Sequence, residues 1–358
     1  MPTPASQSTM NDTLRQSRFL KACHLEPTDV TPVWLMRQAG RYMSEYRELR
    51  AKVSFLELCK NPELATEVTV TAAERLGVDA AILFADILLI LEPMGLDLEF
   101  AKGEGPVIHN PVRTAEDVDR IRWMEDPSPL DYVYRAVTSI RSALPSGIPL
   151  IGFAGAPFTL ACYAIEGGGS RHYEKAKSFM YRDPGAWDAL MERLVAATIL
   201  YLNAQVTAGA QVLQIFDSWV GNLGPDDYRR FVLPHMRRLF EGLDPETPVI
   251  HFGTDTGSLL ELQRDAGGDV IGLDWRVDLE QSWNRLGPKV GVQGNLDPTL
   301  LFAPIPEIQR QTRRILDQAA GRPGHIFNLG HGILPTTPVD HVIALVEEVH
   351  SYQPTSVK

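Results

Sequence analysis

Cysteine is scarce in this sequence of 358 residues, and its three cysteines, Cys23, Cys59 and Cys162, form no Cys-x-x-Cys pair. A low, odd number of widely spaced cysteines argues against a disulfide scaffold and against a structural zinc site. The sequence also lacks His-x-x-x-His and His-Glu-x-x-His patterns, which are typical of metal ligands on one helix face. We therefore predict no metal, and free cysteines favour a reducing, cytoplasmic location.

Positive charge and long apolar segments are also in short supply. Lys and Arg number 34 against 45 Asp and Glu, which makes a formal net charge of −11. Such an acidic chain is a poor general binder of nucleic acid or anionic membranes, so an anionic ligand needs a local basic cluster. No apolar run reaches the roughly 18 residues that a membrane-spanning helix needs. The first residues, MPTPASQSTMNDTLRQ, lack the apolar region of a secretory signal.

Common nucleotide and hydrolase signatures are absent as well. No G-x-G-x-x-G follows the first predicted strand, and neither a P-loop nor a G-x-S-x-G elbow occurs. These absences argue against a bound dinucleotide, a nucleoside triphosphate and a Ser–His–Asp hydrolase. We predict an activity that uses no cofactor.

Short apolar runs, each followed by a polar or Gly-rich break and a helical stretch, recur along the chain. The runs are residues 33–36, 80–84, 149–153, 211–216, 248–252, 269–273, 289–293 and 325–329. Between them, segments such as 62–76, 187–206 and 338–349 have the apolar spacing of amphipathic helices. Alternating strands and helices predict a parallel sheet covered by helices. Eight runs favour a single-domain, distorted (β/α)₈ TIM barrel of α/β class over an open doubly wound sheet.

The domain organisation predicted from the sequence is simple. Residues 1–17 are expected to be a loose N-terminal segment, 18–352 the barrel, and 353–358 a C-terminal tail. A stretch starting at Leu98 alternates apolar and polar residues around Gly103 and Gly105. It predicts a small β-hairpin inserted after the second strand.

Candidate functional residues are those that follow the apolar runs, because a barrel places its site at the carboxyl ends of its strands. The first run is followed by Arg37 and Arg41, and the second by Asp86. Tyr163 lies beyond the third run, Ser218 follows the fourth, and His331 follows the eighth. Asp86 lies in the most apolar stretch of the chain, where an unpaired carboxylate is costly. An Arg-rich mouth around an embedded carboxylate predicts an anionic substrate and proton chemistry.

Each candidate has a structural alternative. The arginines could form surface salt bridges, Asp86 and Ser218 could cap helices, and Tyr163 could belong to the core. Asp217, Asp274 and Asp297 are weaker candidates, and His24, His109, His172, His235 and His251 are interpreted as structural or surface residues.

Several motifs together resemble the uroporphyrinogen decarboxylase family. They are PVWLMRQAGRYMSEYR from Pro32, GFAGAPFTLACY from Gly152 continuing to EGGGS, FDSW from Phe216, GNLDP from Gly294 and FNLGHG from Phe327. They occur in the family's order, and the likeness extends from about Arg18 to His350. The Arg-Gln-Ala-Gly-Arg string is the most specific of them.

The resemblance implies a homodimer and the cofactor-free decarboxylation of the four acetate side chains of uroporphyrinogen III, giving coproporphyrinogen III. It implies that Arg37 and Arg41 hold substrate carboxylates and that Asp86 accepts hydrogen bonds from the pyrrole N–H groups. Tyr163, Ser218 and His331 are expected to contact the periphery of the substrate. Gln38, Ala39 and Gly40 complete the predicted binding string, and Asp86 and Arg37 are the predicted catalytic residues.

Elementary chemistry agrees with this set. A protonated pyrrole ring can take up the electrons released with CO₂, and a fixed carboxylate would stabilise its transient positive charge. Arg37 is expected mainly to bind and organise, because a guanidinium pKa above about 12 suits a general acid poorly. Two alternatives stay open. One is a zinc-dependent corrinoid or thiol methyltransferase of the same barrel superfamily, although no cysteine follows Cys162. The other is a non-catalytic tetrapyrrole-binding protein.

Overall fold

A curled parallel sheet of seven strands forms the centre of the molecule in this computed structural model, which describes residues 12–101 and 105–353. The strands, in their order around the sheet, are β1 (Ala81–Ile82), β4 (Leu150–Gly155), β5 (Val212–Asp217), β6 (Val249–Gly253), β7 (Val270–Gly272), β8 (Gly291–Gln293) and β9 (His325–Ile326). All neighbouring pairs are parallel, from Ala81 opposite Leu150 to Gln293 opposite Ile326. The predicted α/β barrel class is confirmed.

The first predicted strand is wrong in detail, because residues 33–36 form an extended segment and not a strand. Only Val33 makes a ladder contact, an isolated parallel bridge to Phe327. The N–H groups of Leu35 and Met36 donate instead to the side chains of Gln38 and Asn328, at 3.2 and 3.1 Å. Side-chain acceptors replace the strand ladder, which a pattern of apolar residues cannot reveal.

This segment nevertheless lies between the two ends of the sheet. Phe327 beside β9 donates its N–H to the carbonyl of Pro32 at 2.8 Å, and Asp79 before β1 donates to the carbonyl of Val33 at 2.8 Å. The Asp79 carboxylate also accepts the N–H of Val33 at 2.8 Å. The segment therefore brings residues 37–41 to the same mouth as the carboxyl ends of the strands.

Helices cover the outside of the sheet. They are α1 (Arg18–Cys23), α2 (Ser44–Arg50), α3 (Phe55–Lys60), α4 (Pro62–Leu76), α5 (Ala115–Arg120), α6 (Asp131–Ala143), α7 (Pro157–Glu166), α8 (Glu174–Arg182), α9 (Pro184–Ala208), α10 (Pro225–Phe231), α11 (Leu233–Glu241), α12 (Leu260–Ala266), α13 (Leu279–Leu286), α14 (Ile305–Ala319) and α15 (Val339–Ser351). The predicted amphipathic segments 62–76 and 187–206 fall within α4 and α9, and 338–349 matches α15 apart from Pro338, which precedes the helix. In the part of the chain that the structure describes, no helix is both long and apolar enough to cross a membrane.

Helix α4 shows how local sequence sets these boundaries. It begins with Pro62 at its first position, and the Asn61 side chain accepts the N–H of Leu64 at 3.0 Å. It ends at Gly77, whose φ of 67° is a left-handed conformation that glycine adopts at little cost. These caps satisfy backbone groups that a helix leaves unpaired at its ends.

The predicted hairpin after the second apolar run is confirmed. Strands β2 (Leu98–Ala101) and β3 (Gly105–Ile108) pair antiparallel, with Leu98 opposite Ile108. Its turn, including Gly103, lies outside the described residues. The Phe100 ring packs 4.8 Å from that of Phe55.

The predicted chain ends fall largely on residues 1–11 and 354–358, which lie outside the described residues. Within the described part, Leu14 is buried, and the Ser17 side chain caps α1 by accepting the N–H of Leu20. The domain boundaries stay a prediction.

Apolar side chains fill the barrel interior. One buried cluster combines Trp34 with strand residues such as Ile151, Val212 and Ile250, and it includes residues of α1. The indole of Trp34 donates to Gln293 at 2.8 Å. Leu25, just after α1, lies against Gly324 before β9, so α1 lies at the amino-terminal end of the barrel. The loops with the candidate residues follow the carboxyl ends of the strands, at the opposite end.

Candidate active site

The loop after the 33–36 segment is held rigidly by Gln38. The buried Gln38 side chain accepts the N–H of Leu35 and donates to the carbonyl of Ala80 at 3.2 Å, while its own carbonyl accepts the Tyr42 hydroxyl at 2.6 Å. Its N–H donates to the carbonyl of Leu35 at 2.9 Å. The side chain and backbone of Gln38 therefore bond to other protein groups, and these hydrogen bonds hold the loop in position.

Arg37 and Arg41 are exposed at the mouth on this loop. Arg37 has a φ of 63°, an uncommon conformation for a non-glycine residue that is concentrated at functional sites. Gly40 is required by a close approach, because a Cβ there would lie 2.9 Å from the carbonyl oxygen of Arg37. Protein atoms nevertheless crowd Arg37, and burial followed by the charge of Arg41 lowers the pKa of its guanidinium.

The backbone of the same loop offers further donors. Among the described residues, the N–H groups of Ala39, Gly40 and Arg41 find no hydrogen-bond acceptor. Arg47 braces the loop from behind by donating to the carbonyl of Arg41 at 3.0 Å. Free backbone N–H groups beside two guanidinium groups form a site suited to carboxylates.

Asp86 follows β1 and is half-buried among apolar side chains. One carboxylate oxygen accepts the N–H of Leu88 at 2.9 Å, the local turn expected of a structural Asp. Its second oxygen has no hydrogen-bond partner within the described ranges. Burial raises the pKa of Asp86 to about 6, against the opposing influences of the Leu88 N–H and the Arg37 charge. At neutral pH the carboxylate is therefore mostly ionised, with one oxygen free for a donor.

Aromatic side chains form the wall next to Asp86. Tyr163 in α7 lies with its ring 6.0 Å from that of Trp219, which in turn lies 5.2 Å from the ring of Tyr173. Burial and then the nearby Asp86 charge raise the pKa of Tyr163 to about 12. Tyr163 is thus a neutral hydroxyl close to Asp86. Trp219 was not among the sequence candidates, although it adjoins Ser218 in the FDSW motif.

His331 lies on the loop after β9, between Gly330 and Gly332. The Arg37 side chain runs directly across Gly332, where a Cβ would lie 2.4 Å from its Cδ. Burial, followed by the charges of Arg37 and Arg276, lowers the pKa of His331 to about 4. His331 therefore contributes a neutral imidazole to the mouth at physiological pH.

Ser218 is half-buried at the end of β5, directly after the fully buried Asp217. The Thr159 hydroxyl donates to one oxygen of Asp217 at 2.9 Å and accepts the N–H of Trp219 at 3.3 Å. The other Asp217 oxygen is buried without a partner among the described residues. This arrangement positions Ser218 and Trp219, and burial raises the pKa of Asp217 to about 7.

We expect Asp217→Asn to stabilise the protein more at about pH 8 than at about pH 5. The pKa of Asp217 is raised from 3.8 to about 7 on folding, so the folded chain holds the proton more tightly and wild-type stability falls as pH rises through this window. Asparagine keeps the acceptor for Thr159 and cannot ionise. The gap in melting temperature between variant and wild type should widen with pH, and an equal gap at both values would contradict the assignment.

Asp274 and Arg276, on the loop after β7, contribute to the mouth beyond what the sequence indicated. Asp274, a weak sequence candidate, is buried and accepts the N–H of Asp255 at 2.6 Å. Arg276 was not singled out, although its place after an apolar run is the signal that identified Arg37. No group of three His, Cys, Asp or Glu side chains suited to a metal occurs among residues 12–101 and 105–353.

Comparison with known proteins agrees over nearly the whole chain. The model of the family described as Uroporphyrinogen decarboxylase matches residues 14–352. The chain is 59% identical over 342 residues to the uroporphyrinogen decarboxylase of Sorangium cellulosum, covering 95% of this chain and 98% of that protein. For the protein of the same name from Carboxydothermus hydrogenoformans, the identity is 56%, covering 95% of this chain and 96% of the relative.

A solved structure supports the fold independently. A methyltransferase from Methanosarcina mazei superimposes with a TM-score of 0.75 at 21% identity, covering 93% of this chain and 97% of that one. This likeness concerns the barrel architecture alone. The family match and the identities above 50%, by contrast, extend through the motifs that build the mouth. The chain therefore belongs to the uroporphyrinogen decarboxylase family.

Proposed function

We propose that this chain is a carboxy-lyase that converts the four acetate side chains of uroporphyrinogen III to methyl groups, giving coproporphyrinogen III. The observation that carries the proposal is Asp86, an ionised carboxylate in apolar surroundings with one oxygen free, lying within the electrostatic reach of Arg37. The names of the relatives support the same reaction.

The pyrrole ring of the substrate can itself accept the electron pair that is released with CO₂. Protonation of a pyrrole ring carbon creates a cation delocalised onto the ring nitrogen. The bond between the acetate methylene and its carboxylate then breaks, CO₂ leaves, and the electron pair neutralises the ring. A second proton on the exocyclic carbon and loss of the first from the ring restore the pyrrole with a methyl group. In this scheme the free Asp86 oxygen accepts the pyrrole N–H and stabilises the cation.

The remaining residues bind and orient the substrate in this proposal. Arg37 and Arg41, with the free N–H groups of residues 39–41, take substrate carboxylates, since guanidinium groups pair with carboxylates through two parallel bonds. Tyr163, Ser218 and the neutral His331 contact the periphery. Gln38 acts through the loop that it holds.

Two further statements are predictions that accompany the proposed function. The family resemblance predicts a homodimer with the two mouths facing each other, which light scattering of the purified protein tests directly. A cytoplasmic location is predicted from the three separated cysteines, which favour a reducing compartment.

The deciding experiment is anaerobic incubation with uroporphyrinogen III, followed by oxidation and chromatography of the porphyrins. We expect intermediates with progressively fewer carboxylates and then a tetracarboxylate product, with unchanged rates after extensive dialysis against a chelator. Tight binding without loss of CO₂ would favour the non-catalytic tetrapyrrole binder. Zinc-dependent methyl transfer to a thiol would favour the methyltransferase alternative.

A further inference from the structure

We infer that Arg276 is a third carboxylate-binding arginine of the mouth, placed to bind a substrate side chain that is retained in the product. The inference rests on the proposed function and extends it. It assigns to the loop after β7 a subsite for the propionate groups, which a uroporphyrinogen carries in addition to its four reacting acetates.

The loop that carries Arg276 is held in place before any ligand arrives. The Asn295 side chain donates to the carbonyls of Asp274 and Val277, both at 2.8 Å. The buried Asp274 carboxylate accepts the N–H of Arg276 at 3.0 Å and one of its guanidinium nitrogens at 2.5 Å. The guanidinium also stacks 4.0 Å from the centre of the Trp275 ring. A side chain fixed in this way loses little further freedom on binding.

The same loop packs directly against the loop of His331. A Cβ on Gly330 would lie 2.2 Å from the Trp275 nitrogen, so the two backbones touch. The Trp275 ring meets the His331 ring edge-on at 6.3 Å. Arg37 approaches the same loop across Gly332. Because Arg276 stacks on Trp275, which contacts His331, Arg276 extends the cationic mouth beyond Arg37 and Arg41.

A purely structural ion pair does not account for the exposure of this arginine. Asp274 is 1% exposed, whereas the Arg276 side chain is 45% exposed. Asp274 already accepts two backbone N–H groups, from Asp255 and Arg276. In the described part of the chain, only one guanidinium nitrogen of Arg276 forms a hydrogen bond, so its remaining N–H groups are free for a carboxylate.

The number of carboxylates on the substrate provides a binding partner for the free N–H groups of Arg276. An octacarboxylate offers more anionic groups than Arg37 and Arg41 can bind between them. Coproporphyrin retains the four propionates and lacks the reacting acetates. If Arg276 binds a propionate, replacing Arg276 must weaken the binding of substrate and product alike. It must leave the rate of the chemical step unchanged.

The test compares Arg276→Gln and Arg276→Lys with Arg285→Gln. Arg285 in α13 is a matched control, since its side chain is 43% exposed and pairs with Glu261 in α12, not with a residue of the loop after β7. The measurements are kcat and KM for uroporphyrinogen, the Kd of coproporphyrin by fluorescence titration, and melting temperature. For Arg276→Gln we expect KM and the coproporphyrin Kd to rise about tenfold or more, as for a lost charged hydrogen bond, with kcat within about twofold. Arg276→Lys should lie between, and Arg285→Gln should match wild type.

The outcomes separate this inference from the proposed function. A coproporphyrin Kd that stays within about twofold of wild type in Arg276→Gln overturns the assignment, whatever happens to melting temperature. If Arg276→Gln does not fold, Arg276→Lys decides by the same Kd, because lysine keeps the charge but loses the two-point geometry. If the wild type binds coproporphyrin but does not decarboxylate uroporphyrinogen, the proposed function fails, while a raised Kd in the variants still supports the subsite.

Discussion

Replacing Asp86 with asparagine is expected to lower kcat on uroporphyrinogen by about 10²–10³-fold, the usual cost of removing one electrostatic stabiliser of a transition state. Asparagine is nearly the same size and keeps an oxygen to accept the N–H of Leu88, so the local turn should survive. What it removes is the negative charge that the proposed mechanism places beside the pyrrole nitrogens. Steady-state kinetics with circular dichroism measures both effects.

Asp86→Glu is the matched control, because it retains the charge and moves the carboxylate by one methylene group. We expect its kcat to lie between those of wild type and Asp86→Asn. An Asp86→Asn enzyme with kcat near that of wild type would show that the charge does not stabilise the transition state, and the proposed mechanism would fall.

The same carboxylate predicts the acidic limb of the pH profile. The pKa of Asp86 in the free protein is raised to about 6, chiefly by burial, so the ionised form declines below that pH. Because the mechanism needs the ionised form, kcat/KM should fall about tenfold per pH unit below about pH 6. In Asp86→Asn this limb should disappear from the profile.

Gly332→Ala is expected to lower kcat/KM by about 10–100-fold with little change in melting temperature, because it displaces Arg37. The new Cβ would lie 2.4 Å from Cδ and 2.7 Å from Cγ of Arg37. The Arg37 side chain must therefore move away from its position at the mouth. The matched control is Gly147→Ala, where a Cβ meets nothing within 4 Å. Kinetics on uroporphyrinogen and thermal melting of both variants provide the comparison.

A double-mutant cycle shows whether the effect of Gly332→Ala passes through Arg37. The double variant Gly332→Ala with Arg37→Lys should lose much less kcat/KM than the sum of the two single losses. The lysine at position 37 has no guanidinium, so the contact with the substrate carboxylate is already lost before the alanine is added. Fully additive losses would mean that the alanine acts on something other than Arg37.

The apolar runs located the strands of the barrel well, since burial on both faces leaves a strong local signal. The run at 33–36 failed for a specific reason. The partners of its N–H groups include the side chains of Asp79 and Asn328, which no local pattern can identify. The segment is buried like a strand, but the N–H groups of Val33, Leu35 and Met36 donate to side chains.

The residues of the candidate site also divide into those that a local sequence pattern identifies and those that it does not. Arg37, Arg41 and Asp86 could be identified because each is a charged residue within five residues of the end of an apolar run. Trp219 and Arg276 also follow apolar runs but were missed, because what distinguishes them is contact with the ring of Tyr163 and the carboxylate of Asp274. Such contacts join loops from different strand ends and are not coded by spacing along the chain.

The sequence by itself determined the barrel class, the family and the set of charged residues at the strand ends. The reason is that apolar runs and motifs can be recognised in short stretches of the chain. Only the tertiary structure decided the hydrogen bonds and the burial of those residues. It left one oxygen of Asp86 free, kept His331 neutral by burial and by the nearby arginine charges, and used the Gln38 side chain as an internal support. The physical reason is that hydrogen-bond saturation and desolvation depend on atoms from distant parts of the chain, which meet only when the barrel closes.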